Sequence, residues 1–504
     1  MARDPFVVIG GDAAGLSAAS KFRREADREV IVFEKGQWVS YAHCGLPYFV
    51  EGSVERLTDL LSLSPSDIED RGIDLRRGHE VVSVDPTERT VTVRTDGERF
   101  DQPYSELLVA TGARATTGAF DASLDGVFTI HGLDSAAAVD AYLAPPGEYD
   151  RDRLGDGPVD DALIDHNAAL DPPERVAIVG GGYVGIEMAE ALTARGLDVH
   201  LFQRSDHVLP PFGAAVAERV EPHLDAQGVT LHTGTVVDEL VGADRIEAVV
   251  ADDSEGSEIT RADSEAVDSV ERSSTSNRAE PGDGERYPVE MALLGVGIQP
   301  NTELLDGTGV ARGPSGAVRT DAYGRTTLPA VYAAGDVATA RHAVTGAETW
   351  VPLGLTANRA GRAIGATVAG DPTPVGNVAG TAVVKAFDLE CGRVGLVDED
   401  VAADTGFDPV SETITAGSRS GYYPGGDETT VTLVADRRTG RVLGGAIVGR
   451  DRAAIRIDTL ATAIEAEMTL NDLERLDLAY APPFSPVWDP VLVAAKVVNG
   501  RLES

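Results

Sequence analysis

The hydrophobic positions of this chain fall in short unbroken runs that stop at glycine. "FVVIGG" near the start, "LLVATGA" from Leu107, "VAIVGGG" from Val176, "MALLGVG" from Met291 and "PAVYAAGD" from Pro329 share this pattern. A run that is apolar at every position and ends in a Gly turn fits a strand covered on both faces of a parallel sheet. Two of the runs continue into a helix and a second strand: "FVVIGGDAAGLSAASKFRREADREVIVFEK" and "RVAIVGGGYVGIEMAEALTARGLDVHLFQR". Each has the plan of a βαβ unit, half of a Rossmann-type domain. From about residue 373 the pattern changes. "TAVVKAFDLE", "ETTVTLVAD" and "RVLGGAIVG" read as strands and "RIDTLATAIEAEM" as a helix, with no nucleotide fingerprint among them.

The expected fold class is therefore α/β, with two Rossmann-type domains and a C-terminal α+β domain. The expected boundaries are 1–113 for the first part of one nucleotide domain, 114–299 for the second nucleotide domain, 300–372 for a return to the first, and 373–504 for the last. Two stretches break the apolar rhythm. Residues 145–173 are rich in Pro, Gly and Asp, and residues 251–288 hold 11 acidic and 4 basic residues. Both read as flexible, solvated insertions with no catalytic part.

Composition narrows the function classes. A chain of 504 residues exceeds one core. No apolar run reaches the roughly 18–20 residues of a membrane span. The start lacks the features of a targeting segment, so a cytoplasmic protein is expected. Acidic residues number 82 against 43 basic ones, for a net charge of −39. Only Lys21, Lys35, Lys385 and Lys496 are lysine. Such a surface repels phosphate backbones and anionic lipid, which argues against nucleic-acid and membrane partners and resembles proteins of salt-rich cytoplasm. Any local gathering of basic residues stands out against it. Cys44 and Cys391 are the only cysteines and the nine histidines are scattered, so neither a disulfide scaffold nor a metal site is expected.

The glycine turns carry the next layer. Gly10, Asp12 and Gly15 hold the three fingerprint positions of the first unit, with Gly11 and Ala13 between them, and its second strand ends in Glu34 and Lys35. A carboxylate there can accept hydrogen bonds from a ribose hydroxyl pair. The second turn is complete, with Gly180, Gly182 and Gly185 around Tyr183 and Val184, but its strand ends in Gln203 and Arg204. With no carboxylate to repel a 2′-phosphate and an arginine able to pair with it, NADPH is expected, NADH remaining possible if Arg204 is only a solvated surface residue. Two dinucleotide sites in one chain point to a nicotinamide and a flavin.

In this order, "VVIGGDAAG", "ATGA", "VGGGYVGIE", "GVGIQPN" and "AAGD" make the chain similar to the pyridine nucleotide-disulfide oxidoreductases, of glutathione-reductase-like architecture. The resemblance implies FAD on the first domain, with contacts from the Gly10–Gly15 turn, from Ala110, Thr111 and Gly112, and from Gly335 and Asp336, the last on the ribityl chain. It implies NAD(P) on the second domain, Gly297 included in the cofactor-binding set, and a homodimer joined through the C-terminal domain.

The stretch "SYAHCGLPYFVEG" places Cys44 where this family keeps its redox cysteine. Position 49 is Phe49, so Cys44 has no Cys-x4-Cys partner, and the stretch resembles the single-cysteine branch of CoA-disulfide reductases and NADH oxidases. A lone cysteine beside a flavin can form a mixed disulfide with a small thiol or cycle through sulfenic acid. Ala13 stands where the oxidase and peroxidase members carry histidine, which favours the first course. "LAYAPPFSPVWDP" and "GYYPG" resemble the reductase segments whose tyrosines reach the partner subunit's cysteine. They nominate Tyr480 and one of Tyr422 and Tyr423, although a rigid Pro-Pro turn with packed aromatics gives the first segment too. Ser17, Lys21, Arg24, Ser40 and Arg76 match CoA-contacting positions. His43 takes the place of a usual asparagine, where an imidazolium would favour a Cys44 thiolate or would simply be a solvated neighbour. Trp488 replaces a usual lysine. Cys391 is expected to pack and do nothing more. The expected activity is FAD-dependent, NAD(P)H-driven reduction of CoA disulfide or a similar small disulfide. The alternatives are an NADH oxidase or peroxidase, a polysulfide reductase, and a low-turnover flavin redox sensor.

Overall fold

A computed structural model of the chain describes residues 4–253, 284–313 and 315–502. The first sheet is five-stranded and parallel, in the order Val331–Ala333, Glu106–Val109, Phe6–Ile9, Val30–Glu34 and Asp74–Arg77. Phe6–Ile9 is buried at every position, as a central strand covered on both faces must be. The second parallel sheet runs Val229–Thr233, Asp198–Gln203, Arg175–Val179, Met291–Leu294 and Val127–Phe128. The two apolar runs that continue into a helix thus sit at sheet centres, each followed by its glycine turn. No helix among the described residues is long and apolar enough to cross a membrane.

The first sheet is completed from both ends of the chain. The helix Ala13–Glu25 packs along Gly354–Ala369. A methyl at Gly361 would collide with the Ala14 carbonyl, and one at Gly365 with the Ala18 carbonyl, so the crossing depends on small residues. The C-terminal part is a five-stranded antiparallel sheet, Ala382–Ala386, Leu389–Gly395, Val442–Gly449, Glu428–Asp436 and Pro409–Gly417. "TAVVKAFDLE", read as one strand, is a hairpin that turns at Phe387, whose φ is 55°. Cys391 lies inside the second arm rather than at a strand end, fully buried, and burial pushes its thiol up to about 12. It is a packing residue.

The insertion at 145–173 is not a flexible loop. It forms the turn Arg151–Leu154 and the helix Asp161–Ala168, and it buries Leu154 and Ile164 in the same core cluster as Leu46, Phe49 and Val50. Its composition misleads because few of its residues are apolar, while its Arg153 is anchored by an acid outside it, Asp140, which is 1% exposed. Of the other insertion, residues 254–283 lie outside the described residues.

Candidate active site

Cys44 lies in a short 3-10 turn, His43–Gly45, that runs directly into the helix Leu46–Glu51. Pro47 in the first helical turn suits a position whose backbone N–H has no partner within the helix. The segment is sewn to the first glycine turn, with Ser40 N–H donating to the Gly11 carbonyl at 3.2 Å and Tyr41 N–H to the Asp12 carboxylate at 3.2 Å. At its far end the helix is gripped from the nucleotide domain. Arg153 donates to the Phe49 carbonyl at 2.7 Å and Arg195 to the Val50 carbonyl at 2.8 Å. The two guanidinium groups share the carboxylate of Asp140.

The thiol of Cys44 is exposed, yet its surroundings hold the proton on. Burial of the site, then the charges of Glu187 and Asp336, raise it above the ordinary cysteine value. The imidazolium reading of His43 fails. Burial, followed by the neighbouring His131, pushes His43 down to about 4, so the ring is neutral at pH 7. It stacks 4.2 Å from the Tyr41 ring and meets the Asp12 carboxyl at 3.2 Å, itself lifted to about 7 chiefly by burial. A raised carboxyl beside a neutral imidazole makes this corner a hydrogen-bonded pair rather than a fixed ion pair.

The first glycine turn is shaped for a dinucleotide. Gly10 has φ 110°, and a methyl there would strike the Ala110 carbonyl. A methyl on Gly15 would strike Gly10. Glu34 accepts hydrogen bonds from Gly11 N–H at 2.9 Å and Gly36 N–H at 2.7 Å, which fixes its carboxylate at the strand end, while Lys35 beyond it is exposed. Asp336, next to Gly335 (φ 79°), is pushed to about 6 by burial alone, the mark of a carboxylate that lacks a hydrogen-bond donor. These features fit FAD: a close backbone approach for pyrophosphate, and buried acceptors for hydroxyl groups. Thr111 and Gly112 are tied to Asn301, whose amide donates to the Thr111 carbonyl at 2.9 Å, so the "ATGA" and "GVGIQPN" turns form one joint.

The second turn repeats the geometry. Gly180 has φ 110° and faces the carbonyl of Gly295, a partner not singled out from the sequence, with Gly297 (φ 121°) two residues on. Gln203 takes the place of Glu34, accepting from Gly181 N–H at 2.8 Å. Arg204 points out, exposed, Gly182 has open space around it and Val184 is exposed beside it, whereas the Tyr183 hydroxyl accepts from Arg393.

A cleft of about 570 Å³ opens beside Asp12, and it brings Ser17, Arg24 and Ser40 together. It adds three arginines that sequence reasoning missed, Arg71, Arg359 and Arg362. None of these four arginines is ion-paired among the described residues. Arg359 and Arg362 stand three residues apart on the helix Gly354–Ala369, a spacing that could have flagged them. Lys21 and Arg76 do not line this cleft. Lys21 is paired with Glu25, and Arg76 with Asp74 at 2.6 Å while it covers the Phe33 ring. Among the described residues no group of His, Cys, Asp and Glu is placed to hold a metal ion.

Tyr480 and Tyr422 meet at the surface of the C-terminal domain, with hydroxyls 3.4 Å apart. That bond lowers the pKa of Tyr480. Tyr423, Phe484, Val487 and Trp488 are exposed as well, Trp488 lying against the Lys496 ammonium.

Residues 4–352 match the family model for pyridine nucleotide-disulphide oxidoreductases, and residues 381–490 match the dimerisation domain of the same family. The NAD(P)H coenzyme A polysulfide/persulfide reductase of Pyrococcus horikoshii is 37% identical over 98% of each chain. A coenzyme A disulfide reductase of Staphylococcus haemolyticus is 29% identical, over 95% of this chain and 96% of the other. The solved structure of an NAD-dependent persulfide reductase from A. fulgidus superposes with a TM-score of 0.84 at 30% identity, covering 99% of this chain and 83% of that one.

Proposed function

We propose CoA disulfide as the substrate of this chain, which belongs to the pyridine nucleotide-disulphide oxidoreductase family and reduces disulfide or persulfide sulfur with NAD(P)H and FAD. The observation that carries the proposal is the cleft with its four unpaired arginines, in a chain of net charge −39. A CoA disulfide brings several phosphates, and guanidinium groups are the residues of choice for them.

In this reading the Cys44 sulfur attacks one sulfur of CoA disulfide. The S–S bond breaks, one CoA leaves as thiolate and takes a proton, and a Cys44–CoA mixed disulfide forms. The Gly10–Gly15 turn, Glu34 and Asp336 would hold FAD, which would supply the two-electron relay from NAD(P)H to this bond. The mixed disulfide then parts into the Cys44 thiolate and a second CoA thiolate, which takes up the second proton. Arg24, Arg71, Arg359 and Arg362 hold the phosphates, and Ser17 and Ser40 line the way to the sulfur. In a homodimer, Tyr480 and Tyr422 of the other subunit reach the leaving sulfur, where their hydrogen-bonded phenols would supply a proton. The exposed aromatic patch in the matched dimerisation domain supports that assembly. Glu34 and Asp336 would hold FAD hydroxyls, and Arg204, exposed and without a partner among the described residues, beside an occupied Gln203, favours NADPH.

A second reading keeps the cleft and changes the sulfur. The relative at 37% identity is named a CoA polysulfide/persulfide reductase, and a CoA persulfide would bring the same phosphates to Cys44. Intact-mass measurement of the purified enzyme, with and without dithiothreitol and beside Cys44→Ser, tests the proposal. A dithiothreitol-labile CoA mass on Cys44, absent from the variant, is expected. An oxygen-sized addition at Cys44 would replace it with sulfenic-acid chemistry. Steady-state turnover of CoA disulfide against CoA persulfide, with sulfide release measured, then separates the two readings.

A further inference from the structure

One part-buried acid beside the nucleophile has no task in this scheme. Glu187 lies on the helix Tyr183–Ala194, which packs against the Cys44 helix, and its Oε1 accepts a hydrogen bond of 3.0 Å from the Tyr48 hydroxyl. Tyr48 follows Cys44 by four residues across the join of the 3-10 turn and the helix, and its phenol is near enough to feel the Cys44 charge. The pair spans the seam between the nucleophile helix and the nucleotide domain. Glu190, one turn along the same helix, is already committed. It pairs with Lys385 and accepts from Phe387 N–H at 2.8 Å. Among the described residues Glu187 is hydrogen-bonded by the phenol alone.

We propose that the Tyr48–Glu187 pair is the proton store of the reaction, taking up a proton as the Cys44 sulfur becomes thiolate and returning it toward a sulfur that leaves. The proposal rests on Cys44 as the attacking thiol. Protons move at these sulfurs as the reaction runs. Reduction of one disulfide to two thiols consumes the two electrons and one proton carried by NAD(P)H plus one proton from solvent. Glu187 is a positioning residue in this scheme, since it acts through Tyr48.

The groups facing the pair set the sign. Glu187 is raised to about 7, first by burial and further by Glu190, with the Tyr48 hydrogen bond and Lys385 acting the other way. Cys44 feels Glu187 and then Asp336, both raising its thiol, while His43 beside it is neutral. An ionised Glu187 therefore opposes a thiolate at Cys44, and a protonated Glu187 permits one. Each charge thus opposes the other, and a proton held on Glu187 eases loss of the one on Cys44.

The test uses reduced, FAD-loaded enzyme. The rate of Cys44 alkylation by iodoacetamide is followed against pH in wild type, Glu187→Gln and Tyr48→Phe, together with the pH profile of kcat/KM for CoA disulfide. Glutamine keeps an acceptor for the phenol but never ionises, so the alkylation midpoint is expected to fall by about one pH unit. Glu187→Gln is expected to lose the ionisation near pH 7 from kcat/KM, whereas Tyr48→Phe, which removes the hydrogen bond holding Glu187 down, is expected to move it upward and to lower kcat by about tenfold or more. Alkylation curves that superpose, with FAD content unchanged, or a limb near pH 7 that persists in Glu187→Gln, would overturn the inference. Turnover that survives Cys44→Ser would instead sink the Cys44 reading beneath it, so the two failures are distinct.

Discussion

Arg359 and Arg362 show how a single side chain is read in an acidic chain. Most arginines here are tied to carboxylates, as Arg76 is to Asp74 and Arg419 to Asp451. Unpaired guanidinium groups around one cleft mark an anion, and phosphates far from the reacting sulfur contribute equally to ground state and transition state. Replacing either residue by alanine is expected to raise KM for CoA disulfide about tenfold with kcat unchanged. A KM within twofold of wild type in both variants would remove the cleft from substrate binding. The sequence revealed Ser17, Arg24 and Ser40 only through family motifs. Arg71 and Arg359 escaped because they belong to segments almost 290 positions apart that only the fold unites. Glu187 escaped for the same reason, since its phenol partner is 139 positions away. His43 left two options open, and the imidazolium one falls because desolvation and the neighbouring His131 disfavour a charge on the ring.

At the scale of elements, the glycine turns were legible because backbone geometry fixes their spacing. The same φ of 110° recurs at Gly10 and Gly180, and both glycines press against a carbonyl from a neighbouring strand end. The insertion at 145–173 was not legible, because its order comes from one acid outside it. Asp140 accepts from Arg153, Arg195 and Tyr149, and the first two of these also hold carbonyls of the Cys44 helix. Removing the carboxylate leaves two guanidinium groups uncompensated in a largely buried place. Asp140→Ala is therefore expected to destabilise the protein by about 3–5 kcal/mol, as breaking buried pairs does. Arg153→Ala, which leaves Arg195 in place, should cost less and lower turnover by loosening the helix that carries Cys44. Thermal unfolding of the two variants checks the order, and an Asp140→Ala protein that melts with wild type would refute the clamp.

The whole molecule carries −39 charges, and salt acts on them in two opposite ways. Like-charge repulsion between surface carboxylates works against the compact state and against the joining of two copies. The screening length falls from about 10 Å at 0.1 M salt to about 3 Å at 1 M, from spanning several side chains to less than one. Stability and dimer content are accordingly expected to rise with KCl between about 0.1 and 1 M. The arginine cleft responds in the other direction, because the same ions screen the attraction between guanidinium and phosphate. KM for CoA disulfide should rise over the range in which the melting temperature rises. Betaine, a zwitterion that favours compact states through exclusion but carries no net charge, separates screening from solvent exclusion. If betaine reproduces both effects, charge is not their cause. If KCl raises the melting temperature and leaves KM flat, the repulsion argument stands and the phosphate role of the cleft falls. Stability that rises while substrate affinity falls under KCl, with KM unchanged under betaine, ties the acidic surface and its basic exception to one electrostatic design.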